Sequence, residues 1–81
     1  MRIRLLAFAS ASEALGSAER DVELADGSRV ADLTAALARQ APALAPLLPR
    51  LAIAVDGELV RGEVALRDGA EVALLPPVSG G

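Results

Sequence analysis

Residues 26 to 42 read Asp26-Gly27-Ser28-Arg29-Val30-Ala31-Asp32-Leu33-Thr34-Ala35-Ala36-Leu37-Ala38-Arg39-Gln40-Ala41-Pro42. Asp26-Gly27 is a turn signal. Ser28 stands where a helix N-cap belongs, its hydroxyl able to accept a bond from a free N–H of the first turn. Val30, Leu33, Ala36, Leu37 and Gln40 follow at three- and four-residue spacing and predict one amphipathic face. Asp32 falls in the positive first turn and Arg39 in the negative last one, where the helix dipole favours them. Ala41-Pro42 ends the helix, because a residue before proline is pushed out of the helical region. This is the one substantial helix that the pattern supports.

On either side the period changes from about four to two. Arg2 to Ala9 predicts a strand, with Ile3, Leu5 and Ala7 on one face and Leu6 and Phe8 on the other. Ser10 to Ser17 reads as a loop or a short helical turn. Glu19 to Leu24 is a second strand, Val22 and Leu24 inward and Asp21 and Glu23 on a wet face. Residues 42 to 50 carry three prolines and read as a connector, with a helical turn near Leu44 to Leu48. Leu51 to Val55, the turn Asp56-Gly57 and Glu58 to Val60 read as a hairpin. After the turn Asp68-Gly69 comes a last strand, Glu71 to Leu75, stopped by Pro76-Pro77, neither of which can donate to a ladder.

One helix must then cover one face of a small mixed sheet. The order strand, strand, helix, strand, short strand, strand is that of a β-grasp, the ubiquitin-like α+β fold with about five strands and one main helix. A ferredoxin-like unit needs two substantial helices. The division expected is a β-grasp domain over residues 1–75 and an extended C-terminal Gly-Gly tail over residues 76–81.

Composition narrows the chemistry. The 81 residues include no Cys, no His, no Lys and one aromatic, Phe8. A chain this short has room for one core and no large internal pocket. Without Cys or His it has no thiolate nucleophile and neither of the side chains that most often hold a metal, so no metal site is expected. One aromatic gives no stacking platform, and a net charge of −3 argues against a nucleic-acid partner. No apolar run reaches the roughly 18 residues of a membrane span, and the N-terminus runs directly into a strand pattern, so a cytoplasmic protein without a membrane partner is expected. Ser10, Ser12 and Ser17 have no His or Lys to activate them. Asp26, Asp56 and Asp68 each precede Gly, and turn chemistry accounts for them.

What remains is the end of the chain, Leu75-Pro76-Pro77-Val78-Ser79-Gly80-Gly81. The two prolines favour extended geometry and aim the tail away from the body. Four extended residues beyond them reach about 13 Å. Gly80 and Gly81 carry no Cβ, so the end can thread a narrow channel and its carboxylate is unhindered. In a β-grasp the first and last strands are adjacent. Leu6, Phe8 and Leu75 are therefore expected to form an exposed apolar patch at the tail's root, suited to a partner.

These residues carry a family resemblance. Ile3 to Phe8 with Ala9, Glu13-Ala14-Leu15-Gly16, Ser28 to Leu37, Ala54 to Val60, Asp68 to Gly81 and above all Pro76-Pro77-Val78-Ser79-Gly80-Gly81 resemble the small subunits of molybdopterin synthase, which are ubiquitin-like sulfur carriers. Ala70, Asp56, Leu74-Leu75 and the absence of a basic residue in Ser10-Ala11-Ser12 depart from that pattern, in turn and interface detail rather than in the tail. The resemblance implies a mechanism centred on the Gly81 carboxylate. An E1-like enzyme would adenylate it with MgATP, and a sulfurtransferase would convert it to a thiocarboxylate. The large synthase subunit would accept the tail, and the sulfur would pass to cyclic pyranopterin monophosphate to build the molybdopterin dithiolene. On this reading the chain binds no cofactor and acts only with its large subunit, through Gly81 rather than a catalytic side chain.

Alternatives differ in destination. A sulfur carrier for thiamine, thiolated tRNA or cysteine would share the tail chemistry, although thiamine carriers are usually shorter and lack the Pro-Pro ending. A ubiquitin-like modifier would join Gly81 to target lysines; this lysine-free chain cannot polymerise through lysine side chains of its own. A plain interaction module would leave the tail inert.

Overall fold

The computed structural model describes residues 1–77. Five strands form one sheet in the order β2-β1-β5-β3-β4. They are β1 (Arg2–Ala7), β2 (Glu19–Glu23), β3 (Ala52–Val55), β4 (Glu58–Val60) and β5 (Glu71–Leu75). Helix α2 (Val30–Gln40) covers one face, and a short helix α1 (Ser10–Leu15) follows β1. β1 and β5 pair in parallel at the centre, while β2, β3 and β4 add antiparallel. This is the β-grasp that the order of elements predicted.

The alternation in β1 and β5 decides what is buried. Ile3, Leu5, Val72 and Leu74 are fully buried and pack with Val30, Leu33 and Leu37 of α2 in one core. Complete burial of side chains of this size stabilises by about 1.5–3 kcal/mol each, before entropy is counted. The prolines of residues 42–50 break regular structure and are themselves exposed, but the segment keeps one anchor in the core. Successive turns bring Leu44 into the core with no exposure, and a 3-10 turn, Leu48–Arg50, leads into β3.

Several local expectations are corrected. Ser28 is not the N-cap of α2. Arg29 is, with extended backbone, and its N–H donates to the Asp32 carboxylate at 2.8 Å. The Ser28 hydroxyl instead donates to the Ala25 carbonyl at 2.7 Å, because the turn at 25–28 closes one residue before the helix begins. Gln40 is exposed and does not join the buried face. The segment after β1 is a true helix, whose Ala11 and Leu15 enter the core and whose end is closed by Gly16 at φ 87°. A residue with a Cβ is disfavoured in that left-handed conformation. β1 ends at Ala7 rather than Ala9, since Ala9 turns to φ 48°, ψ −124° and starts α1.

The hairpin between β3 and β4 is tight. Asp56 and Gly57 take φ 50° and 88°, the double positive φ of a type I′ turn, and Val55 pairs with Glu58 across it. The turn carboxylates also do more than shape turns. Asp56 accepts the Glu71 N–H at 3.0 Å and pairs with Arg67 at 2.9 Å. Asp68 accepts the Arg2 N–H at 2.7 Å, and Asp26 lies 3.2 Å from the Met1 amine. Each is exposed, but each ties its turn to a strand distant in sequence.

Candidate functional site

The sheet face away from α2 is divided in two. Alternation in β1 sends Arg2, Arg4 and Leu6 there. Pairing places Glu23 beside Arg2, Asp21 beside Arg4 and Glu19 beside Leu6. Arg2 meets Glu23 at 2.9 Å, and Arg4 meets Glu19 at 3.0 Å and Asp21 at 3.9 Å. The hydrogen bond and charge of Glu23 raise the Arg2 pKa further above its already high value. This half of the face is a lattice of exposed, mutually neutralised charges. Such pairs stabilise little individually.

The other half is apolar and lies at the root of the tail. Leu6 pairs with Ala73, and Ala73 pairs with Ala54. Leu75 pairs with Ala52 on the same face. Phe8 continues the β1 alternation beyond Buried Ala7 and is 48% exposed. Leu6 and Leu75 are half-buried. The structure therefore brings Leu6, Phe8 and Leu75 together around the end of β5, as the strand register predicted.

One member of this face was missed. Leu59 pairs with Ala54 and is 72% exposed, the most open large apolar side chain among the described residues. The signal was present in the sequence. A two-residue turn at Asp56-Gly57 sets Leu59 opposite Ala54 and so fixes its face. Leu59 extends the apolar half across the sheet to the edge strand.

The tail leaves this surface from Leu75. Pro76 is half-buried and Pro77 exposed. Val78, Ser79, Gly80 and Gly81, named above as tail-threading and reactive residues, lie outside the described residues. Among the described residues no group of His, Cys, Asp and Glu side chains is arranged to hold a metal. Glu19, the titratable side chain beside Leu6, is held by Arg4 at 3.0 Å on the charged half.

Comparison with known proteins decides the family. The ThiS family model matches residues 5–81. The chain belongs to the ThiS family. Over 83 aligned positions it is 41% identical to the molybdopterin synthase sulfur carrier subunit of Chlamydomonas reinhardtii, covering all of both chains. Among solved structures, this ThiS-family chain is similar to SAMP1 of Haloferax volcanii, with a TM-score of 0.89, 29% identity and full coverage of both chains. It is also similar to a putative molybdopterin converting factor, subunit 1, of Pyrococcus furiosus, with a TM-score of 0.88 and 27% identity over 96% of this chain and 99% of that one. It is thus a homologue of the sulfur carrier subunit of molybdopterin synthase with a ubiquitin-like fold, as the tail and strand pattern suggested. Among the described residues no helix is long and apolar enough to cross a membrane.

Proposed function

We propose that this chain is the sulfur-donating subunit of a molybdopterin synthase and that its reactive group is the α-carboxyl of Gly81. The observation that carries the reading is the apolar surface of Leu6, Phe8 and Leu75, set at the strand end from which the Pro76-Pro77 tail departs. A partner seated there meets the root of the tail. Membership of the ThiS family and the likeness to a subunit named for sulfur carriage support the chemistry.

A carboxylate is a poor electrophile. An E1-like enzyme joins it to the AMP portion of MgATP, releasing pyrophosphate and leaving a mixed anhydride. The persulfide of a sulfurtransferase then attacks the Gly81 carbonyl carbon, AMP departs, and a second thiol cleaves the resulting acyl disulfide, leaving the thiocarboxylate and a disulfide between the two thiols. The large synthase subunit holds this tail beside cyclic pyranopterin monophosphate, and the sulfur attacks the pterin side chain on the way to the dithiolene. The small subunit's body contributes docking and positioning, which converts a bimolecular encounter into a held geometry. The large subunit supplies the acid–base and charge-stabilising side chains around the acceptor, since this chain has no His, Cys or Lys. All of these steps belong to the cytoplasm.

A second reading is favoured by the likeness to SAMP1, a small archaeal modifier protein. The same activated Gly81 would pass to a lysine amine of a target protein instead of to sulfur. Mass spectrometry separates the two. Incubated with an E1-like enzyme, MgATP and a sulfur donor, the carrier gains the mass of one oxygen-to-sulfur exchange at Gly81, and deletion of Gly81 abolishes the gain while leaving the thermal midpoint unchanged. Covalent adducts with lysines of other proteins, without the exchange, support the modifier reading instead. No mass change with enzymes that load a known carrier refutes both.

A further inference from the structure

Three turns of this chain carry an Asp-Gly pair, and two of them have the same geometry. At 25–28 the Ser28 N–H donates to the Ala25 carbonyl at 3.1 Å, and Gly27 has φ 86°. At 67–70 the Ala70 N–H donates to the Arg67 carbonyl at 3.1 Å, and Gly69 has φ 84°. Both place positive φ at the third residue, as a type II turn requires. Asp26 and Asp68 are both exposed, precede the same residue and occupy the same position of the turn.

Their ties differ. The Gly69 N–H donates to the Arg2 carbonyl at 2.8 Å, and the Asp68 carboxylate accepts the Arg2 N–H at 2.7 Å. Both groups are thus clamped to β1. At Asp56-Gly57 both carboxylate oxygens are held, one by the Glu71 N–H at 3.0 Å and the other by the Arg67 guanidinium at 2.9 Å. At Asp26-Gly27 the Gly27 N–H has no hydrogen bond among the described residues. The Asp26 side chain is 94% exposed, with only the Met1 amine beside it at 3.2 Å. An exposed ion pair of this kind restrains little.

We propose that Asp26 is a site of spontaneous isoaspartate formation and that the fold protects Asp56 and Asp68 from the same reaction. The Gly27 nitrogen, uncrowded by any Cβ, attacks the Asp26 carboxyl carbon. A carbon–nitrogen bond forms, a carbon–oxygen bond breaks, and water leaves with the amide proton, closing a five-membered succinimide. Water then opens the ring at either carbonyl. Opening at the side-chain carbonyl restores aspartate. Opening at the main-chain carbonyl leaves the chain running through the former side chain, one backbone carbon longer. Nothing is oxidised or reduced, and water is the only co-reactant. Ring closure requires the peptide between the two residues to rotate, a local opening that costs more for each tie that must break.

The Leu24 N–H donates to the Met1 carbonyl, so this turn sits beside the start of β1, whereas the parallel pairing puts the tail root at the other end of that strand. The isomerised chain therefore keeps its tail-root surface, while the link from β2 into α2 is lengthened. This chemistry does not depend on what receives the tail.

The test holds the full chain at neutral pH for several weeks, folded in buffer and unfolded in guanidinium chloride, and follows isoaspartate by mass spectrometry. Cleavage after arginine puts the three pairs on separate peptides, 21–29, 51–61 and 68–81. Isoaspartate and aspartate have equal mass, and retention time with fragmentation across the altered backbone tells them apart. In the folded chain formation at Asp26 is expected to be at least about tenfold faster than at Asp56 or Asp68, and in denaturant the three rates should agree within about threefold. Equal or reversed rates in the folded chain would overturn the proposal, as would protection of all three pairs. A preference for Asp26 that persists unchanged in denaturant would also overturn it, because the cause would then be the local sequence and not the fold.

Discussion

The Phe8 N–H donates to the Leu74 carbonyl at 3.3 Å, and the Phe8 carbonyl accepts the Ala11 N–H at 3.0 Å. The backbone of the one aromatic residue is thus held from both sides, by β5 and by the first turn of α1. Its ring is nonetheless half exposed. An exposed aromatic side chain on an ordered backbone loses little freedom on binding, which suits it to be an interface anchor.

Replacing Phe8 by Ala is therefore expected to weaken binding to a molybdopterin synthase large subunit by about 2 kcal/mol, roughly thirtyfold in Kd. The thermal midpoint of the free carrier should fall much less than for a fully buried side chain, because about half of Phe8 is already exposed in the isolated chain. Isothermal titration calorimetry and a melting curve read the two quantities separately. Unchanged affinity would remove Phe8 from the interface.

Ala9 supplies the abrupt exit from β1. Its φ of 48° and ψ of −124° lie where only glycine is comfortable. Ala9→Gly should raise unfolding stability by about 1 kcal/mol, the relief of strain exceeding the added freedom of the unfolded chain. Urea denaturation measures this. A loss of stability would mean that the conformation at this position carries no strain.

Leu37 is fully buried between α2 and the sheet. Leu37→Ala should cost about 2–5 kcal/mol. That is a large share of the roughly 5–15 kcal/mol typical of a natural domain. A marked fall in the urea midpoint with an unchanged m-value is the expected result. Leu59→Ala, at a side chain that is 72% exposed, should barely move the midpoint.

Asp56 links the hairpin to β5. The Glu71 N–H, with the Arg67 guanidinium, holds its carboxyl below the ordinary value. A lowered folded-state pKa contributes stability that is present above the unfolded value near 4 and is lost as pH falls through the folded value. Asparagine tolerates the positive φ of this position, so Asp56→Asn isolates the charge. The variant should be slightly less stable than wild type at neutral pH, and the gap should close below about pH 4. A gap that is constant with pH would place the effect in the turn and not in the charge.

Periodicity was informative wherever neighbours in sequence are also neighbours in environment. Alternation in Ile3-Arg4-Leu5-Leu6-Ala7 assigned both faces of β1, and the spacing of Val30, Leu33 and Leu37 assigned the buried side of α2. It failed at the joints. Ser28 and Arg29 are equally placed to precede the helix, and which one caps it depends on where the turn from Ala25 closes. The helix Ser10–Leu15 is too short for its pattern to stand out, and Ala11 and Leu15 gain their burial only from packing. The partners of Asp26, Asp56 and Asp68 lie in other strands, so a reading of local turns accounted for only half of what these carboxylates do.

By itself the sequence determined the order of elements, the single main helix, the alternating faces of the first two strands and of the last one, and the bare Gly80-Gly81 end, since each follows from local spacing or from the residues themselves. The adjacency of the first and last strands was expected from the order of elements, while the exact registers and the neighbours of β3 and β4 were decided by the tertiary structure alone. The parallel pairing of β1 with β5 sets Leu6 beside Ala73, and the β3–β4 hairpin then carries Leu59 to the far end of the same face. Surfaces of this kind join residues some fifty positions apart, and only the closure of the sheet and the packing of the helix upon it can bring them together.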